Sequence, residues 1–337
     1  FTLWVISVVS FVAIQLPPGD FLDRKIEQLE QRGTAVNKEM ADSLRRYYGL
    51  DRTYPEQYLL WIFRFVQGDF GRSFLHERPV TELISNRLSL TLILGISILI
   101  SSWLLALILG TYAALRKYSL SDHILTTLAF FGLATPNFLL ALIALVISVY
   151  YFDTGSVTGL FSPEFQDAPW SIAKVFDLAQ HIWLPILIIG ASGIAGLMRI
   201  MRGSLLEVLG QEFILAARAR GLSQKRVLFK HALKLAINPM ITIAGLQIPE
   251  IIAGEILVAV VLNLPTTGPL FLEALRHQDM YLAGALLMIM ALMLVVGNFI
   301  ADLIYNQKNL AGTNLVDHIT PAAASRVKAK NVKPILA

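Results

Sequence analysis

The chain has 337 residues, 55% of them hydrophobic and 15% charged, with a formal net charge of +4 and a mean hydropathy of +0.61. Soluble domains carry about 25% charged residues, so this composition excludes an ordinary soluble domain and points to a polytopic membrane protein. The complete lack of cysteine also excludes disulfides, thiolate metal sites and cysteine nucleophiles. A pI near 9.2 would suit nucleic acid, but the basic residues flank apolar segments, where membrane topology accounts for them.

Residues 1–16 are apolar apart from Ser, Thr and Gln. As a helix they cover about 24 Å of a ~30 Å hydrocarbon core. Because the chain starts at Phe1, they are expected to be a shortened first transmembrane helix. A cleaved signal peptide is the rival reading, disfavoured because no small-x-small cleavage site precedes Pro17. Residues 17–87 form a long insertion. Within it, KEMADSLRRYYGL (38–50) reads as a helix ended by Gly49. In PEQYLLWIFRFVQGD (55–69), Tyr58, Leu59, Ile62, Phe63 and Val66 fall at helical spacing. The insertion is expected to be a small helical cap on the membrane domain.

Residues 88–115, 124–152, 178–198 and 280–301 contain no Asp, Glu, Lys or Arg. Each exceeds or matches the ~20 residues that cross a bilayer as a helix. Residues 235–262 read as a further span despite Glu250 and Glu255. The pattern therefore predicts an all-α bundle of six transmembrane helices with both termini on one face. On that face lie Arg116, Lys117, the loop 203–236 and a tail, 308–337, bearing Lys308, Arg326, Lys328, Lys330 and Lys333. The opposite loops, 153–177 and 263–279, carry only Lys174 and Arg276. The bias places the termini in the cytoplasm. The insertion 17–87, with eleven Lys and Arg, would then be extracytoplasmic, which is tolerable because long loops translocate largely regardless of charge.

The segment 212–239 is the most informative. Six of the 28 Lys and Arg lie in it: Arg218, Arg220, Lys225, Arg226, Lys230 and Lys234. Ala216, Ala217 and Gly221 form a small-residue centre that lets a partner approach the backbone, and Pro239 opens the next apolar run. It reads as a cytoplasmic docking element. His231 among these cations has no second ligand at metal-binding spacing. No GxxxxGK[ST] loop and no HExxH occur, so the chain carries neither a phosphate-binding loop nor a zinc-protease signature.

Gly190-Ala191-Ser192-Gly193 invites an intramembrane protease reading, but such a site needs a histidine on a neighbouring span. The last span has none, and His123, His181 and His277 sit at loop boundaries. Gly190, Gly193 and Gly196 read better as a packing stripe. Glu250 and Glu255 are costly at membrane depth and would face the interior or a wet cavity. Either they line a translocation path, Glu255 being the better candidate, or they bond a neighbouring helix. An ion-coupled secondary transporter would use such carboxylates, but most such folds have internal repeats, and none is visible.

Taken together, these residues resemble the permease subunits of bacterial ABC importers, in the dipeptide/oligopeptide/nickel branch, over about residues 1–307. The resemblance rests on LPPGD (16–20), GDFGRSFLHERPVTELISNRLSLTL (68–92), HIWLPILIIGASGIAGLMRIMRGSLLEVL (181–209), the EAA-type loop 212–239 and LNLPTTGPLFLEAL (262–275). It implies a type I importer transmembrane core over 88–307 in the bacterial inner membrane. It also implies a homologous second permease, two ATP-binding subunits that hold ATP and Mg, and an extracytoplasmic binding protein. The chain itself would be no enzyme. The coupling residues it points to are Glu212, Ala216, Ala217, Gly221, Lys225, Arg226, His231 and Pro239. The substrate class implied is peptides, with oligosaccharides, opine-like compounds or nickel as alternatives. There are departures from the family pattern. Leu215 stands where a Glu usually precedes the alanines, and Ala259 stands where relatives commonly have Glu. The usual Asp-Pro-Arg ending gives way to residues 306–309, Asn-Gln-Lys-Asn.

Overall fold

The computed structural model describes residues 1–15, 26, 42, 43, 45, 46, 51–152, 158–241, 243, 256–300 and 303. The expected helix 38–50, the signature 16–20, Glu250, Glu255 and the tail 308–337 lie wholly or largely outside these residues. Among the described residues the chain is helical, with a lone backbone bridge between Arg72 and Pro79. The principal helices are α1 (Thr2–Gln15), α2 (Tyr54–Val66), α3 (Val80–Leu115), α4 (Leu120–Ala134), α5 (Asn137–Phe152), α6 (Ile172–Leu209) and α7 (Glu212–Ala219). A helical stretch at 224–236 follows as α8, then α9 (Ile256–Val261), α10 (Thr267–Arg276) and α11 (Met280–Ile300).

Helices α3, α6 and α11 are each long and apolar enough to cross a membrane, while α1 has 14 residues. The expected span at 124–152 is not one straight helix. It is the pair α4 and α5, bent by 105°. The cause is Pro136. A proline disfavours the α conformation in the residue before it, and Thr135 is extended at φ −93°, ψ 124°. Counting that pair as one span gives up to four among the described residues. The expected fifth, 235–262, is described only at its ends. Both α3 and α6 outrun the apolar segments from which they were predicted, with 36 and 38 residues, or about 54–57 Å of helix. Their ends therefore project beyond the hydrocarbon.

The backbone of the fold is the α3–α6 pair. Ser102 faces Gly190 while Gly110 faces Met198 and Met201, so both helices run in the same direction. A Cβ at Gly110 would lie 2.7 Å from the Met198 carbonyl oxygen, and one at Gly190 would lie 2.9 Å from the Ser102 hydroxyl. Only glycine permits this approach, the usual device of membrane helix pairs. Of the expected stripe, Gly190 does this work, whereas Gly196 has only a Leu133 methyl at 4.0 Å. The Gly190–Gly193 run sits in the middle of α6.

Three apolar cores follow. One lies where the C-terminal ends of α3 and α6 meet α7 and α8. A second gathers α1, α2, α10 and α11. The third joins α5, α9 and the connection before α6 to the middle of α3. Polar pins hold the second together. Asp279 caps α11 by accepting from the Leu282 N–H at 3.1 Å, and it also receives the Ser73 hydroxyl and the Leu75 N–H. The Thr91 hydroxyl accepts from the Thr267 N–H at 2.9 Å, tying α10 to α3.

Candidate coupling site

The segment 212–239 folds as two short helical elements laid across the ends of α3 and α6. In α7, Glu212 occupies the first turn, where a carboxylate suits the positive helix end. Ile214 and Ala217, three residues apart and so on one face, are buried, while Ala216 is exposed. In α8, Lys225 and Arg226 are exposed in the first turn, and Val227, Ala232 and Ala236 are buried. Residues Val227–Ala232 form a wider π turn, in which His231 is half-buried. Pro239 is exposed beyond it, next to the fully buried Met240. The buried residues enter the same core as Ala113 and Ala114 of α3 and Met201 and Leu205 of α6.

Gly221 makes the turn between the two elements. Its φ is +77°, in the left-handed region where glycine carries no Cβ penalty. The Gly221 N–H donates to the Arg218 carbonyl at 2.9 Å, and the Leu222 N–H donates to the Ala217 carbonyl at 3.4 Å. That pair of bonds is the Schellman ending of a helix. Nothing lies within 4 Å of the position a Cβ would take. The turn is therefore open on the side away from the core.

What the two elements leave exposed is both basic and apolar. Arg218, Arg220, Lys225, Arg226, Lys230 and Lys234 are exposed. Between them stand Phe213, Leu215 and Phe229 at 40%, 54% and 69% exposure. Such a surface can seat against an apolar groove with an acidic rim. The sequence reading found the cations and the small residues. It missed the aromatic component and the anchors Ile214 and Val227. Ile214 falls three residues before Ala217, a helical spacing, but Val227 falls five before Ala232 across the π turn, a spacing no α-helical pattern would pick out.

A second feature beside the site went unread in the sequence. Arg202, near the end of α6, forms a two-pronged ion pair with Asp122 in the first turn of α4. Nε–Oδ1 and Nη2–Oδ2 are both 2.7 Å. Asp122 is 2% exposed and also accepts from the Tyr118 N–H at 2.8 Å. The other end of α4 is tied to α6 as well. The side-chain amide of Asn137, just past the elbow, donates to the Ile189 carbonyl at 3.3 Å and to the Ser192 hydroxyl at 3.4 Å. Ser192 is thus part of a packing contact. Helix α4 is fixed to α6 at its base and at its elbow, and α6 leads directly into α7. Among the described residues, no group of three His, Asp or Glu is placed to hold a metal ion.

Residues 106–307 match the family of binding-protein-dependent transport system inner membrane components. The chain is 37% identical over 308 residues to the oligopeptide transport system permease protein AppB of Bacillus subtilis, covering 89% of this chain and 92% of that protein. It is 30% identical over 319 residues to the dipeptide transport system permease protein DppB of Escherichia coli K12, covering 90% and 93%. It is also 30% identical over 311 residues to the oligopeptide transport system permease protein OppB of Mycobacterium tuberculosis, again covering 90% and 93%. With the family match and these nearly end-to-end similarities, the chain belongs to the binding-protein-dependent transport system inner membrane components, as a permease subunit.

Proposed function

We propose that this permease subunit serves an ATP-driven importer of peptides in the bacterial cytoplasmic membrane. It would act with a homologous second permease, two ATP-binding subunits carrying ATP and Mg, and an extracytoplasmic substrate-binding protein. The observation that carries the substrate class is the 37% identity, across 89% of the chain, to a permease named for oligopeptide transport. The absence of a phosphate-binding loop from the sequence puts hydrolysis in the partners. The charge bias supports cytoplasmic termini, a cytoplasmic 203–236 loop and an extracytoplasmic 17–87 insertion.

In this reading the exposed face of 212–239 seats in the ATP-binding subunits. Glu212, Ala216, Gly221, Lys225, Arg226, His231 and Pro239 supply its turn, charge and outline, and Ala217 keys it to the core. Closure of the ATP-binding pair displaces α7 and α8. Because Ile214 and Val227 share one core with Met201 and Ala113, the displacement passes to α6 and α3 together. The Asp122–Arg202 pair carries α4 along with them, and the spans rock between inward- and outward-open states. Glu255, and secondarily Glu250, are assigned to the translocation path. Selectivity rests chiefly with the binding protein.

The test is co-expression of this chain with its companion subunits in cells lacking peptide uptake. ATP-dependent accumulation of labelled di- and oligopeptides, with ATP-binding subunits co-purifying, is the expected result. Proton-driven uptake by this chain alone would overturn the importer reading. A binding protein that retains nickel or an oligosaccharide in preference to peptides would overturn the peptide assignment only.

A further inference from the structure

We propose that α2 is an in-plane membrane anchor whose outward stripe of Leu59, Phe63 and Val66 sits among the acyl chains of the bilayer. This goes beyond the expected helical cap packed on the membrane domain. The assignment of α2 to the outer leaflet rests on the topology proposed above, whereas its depth does not.

The depth follows from what α2 touches. The Gln15 side-chain amide at the end of α1 donates to Met280 Sδ at 3.2 Å, so the end of α1 and the start of α11 lie at one level. Gln57 meets that level, since its Oε1 accepts from the same Gln15 amide at 3.3 Å. One turn further along, Trp61 goes below it. The Trp61 ring centroid lies 6.2 Å from that of Phe11, and its Cζ2 lies 2.8 Å from where Gly284 would carry a Cβ. Phe11 is four residues before Gln15 and Gly284 four after Met280, so each helix independently puts Trp61 about 6 Å inside the boundary. The Tyr58 hydroxyl reaches deeper still, to the Ser7 hydroxyl at 2.8 Å.

At that depth the face turned away from α1 and α11 must be apolar, and beyond Glu56 in the first turn, which marks its polar end, it is. Leu59, Phe63 and Val66 fall at i, i+4 and i+7 and are 63%, 63% and 79% exposed. An amphipathic helix lying in the interface buries its apolar face about 5–10 Å below the headgroups, which matches the level of Trp61. The ends are polar, with Asp51 and Arg52 before the helix and Gln67 and Asp69 after it. They return the chain to the headgroups. The occupant of the stripe is therefore lipid.

Single substitutions Leu59→Cys, Phe63→Cys and Val66→Cys in this cysteine-free chain would each carry a nitroxide. The full chain, assembled with its companion subunits, is placed in liposomes of phosphatidylethanolamine and phosphatidylglycerol. Collision with molecular oxygen should exceed collision with a water-soluble nickel chelate, giving a ratio several-fold higher than for labels at Asp51→Cys and Gln67→Cys. A ratio equal to those controls would mean an aqueous face and would overturn the proposal. Low collision with both reagents would mean that protein covers the stripe, which also overturns it. Impermeant labelling of Ser43→Cys scores sidedness separately, so an inverted topology leaves the depth result readable.

Discussion

At Gly221 and at Asp122 the consequences of a single side chain are sharply defined. No atom lies within 4 Å of the place where a Gly221 Cβ would sit, so a substitution there meets no clash within this chain. The intrinsic cost is the left-handed backbone, roughly 1 kcal/mol for an ordinary residue and less for Asn. Any larger effect must come from a partner seated on the turn. Gly221→Asn should keep most peptide uptake, Gly221→Ala should lower it, and Gly221→Trp should abolish uptake and co-purification of the ATP-binding subunits while membrane insertion persists. Normal uptake by the Trp variant would exclude this turn as the docking element. Asp122 makes the opposite case, because its partner lies in the same chain. Removing Arg202 leaves a carboxylate that is 2% exposed without its counter-charge. The cost should be about 3 kcal/mol, the low end for a broken buried pair because Arg202 keeps some solvent contact. Arg202→Met should lower the melting temperature of the detergent-solubilised complex, and Arg202→Lys, which keeps the charge but not the fork, should lower it less. Equal losses would mean that the two-pronged geometry is immaterial.

At the scale of elements, the helices were largely legible and their breaks were not. The charge-free runs located α3, α6 and α11 because burial of apolar surface in lipid leaves no room for ionised groups. The spacing of Tyr58, Ile62 and Phe63 likewise located α2, whose observed span, Tyr54–Val66, closely follows the expected one. Pro136 was visible in the sequence, yet the unbroken apolar run on either side of it masked its effect. The 105° elbow depends on α4 and α5 each finding a separate packing surface, which periodicity does not encode. The Asp122–Arg202 pair and the Asp279 hub were illegible for a related reason, since their partners are 80 and 206 residues distant. Asp279 yields a pH prediction for the junction of α10 and α11. Burial pushes its carboxyl above the ordinary carboxylate value, against the pull of the Ser73 hydroxyl and the Leu75 N–H. A carboxyl raised in the fold contributes stability that is full below its unfolded value, near 3.9, and is lost as pH rises through the folded value. Asp279→Asn should therefore flatten the decline in melting temperature as pH rises above the unfolded carboxylate value, even though losing an acceptor lowers stability overall. An unchanged pH slope would show that another group sets it.

For the molecule as a whole, the proposed sidedness of the bundle rests on where its cations fall. Helices α3 and α6 run in the same direction, so the ends that carry Arg116 and the loop 212–239 emerge on one face, and residues 51–79 together with the 158–171 connection lie towards the other. The first face gathers Arg116, Lys117 and the six cations of the loop, whereas the 158–171 connection carries none. Lys174, the first cation after that connection, is 6% exposed. Its ammonium is solvated within the fold, donating to the Ala168 carbonyl at 2.6 Å and lying 4.8 Å from the centre of the Phe161 ring. Short basic loops resist translocation while long insertions do not, so the proposed cytoplasmic placement of 203–236 is compatible with eleven cations in the 17–87 insertion. Cysteines placed at Ser223 and at Ser43 should accordingly react with an impermeant maleimide from opposite sides. In intact spheroplasts the Ser43→Cys chain should label and the Ser223→Cys chain should not, and in inverted vesicles the order should reverse. Labelling of both from one side would break the assignment, and with it the claim that the basic, apolar face of α7 and α8 meets an ATP-hydrolysing partner in the cytoplasm.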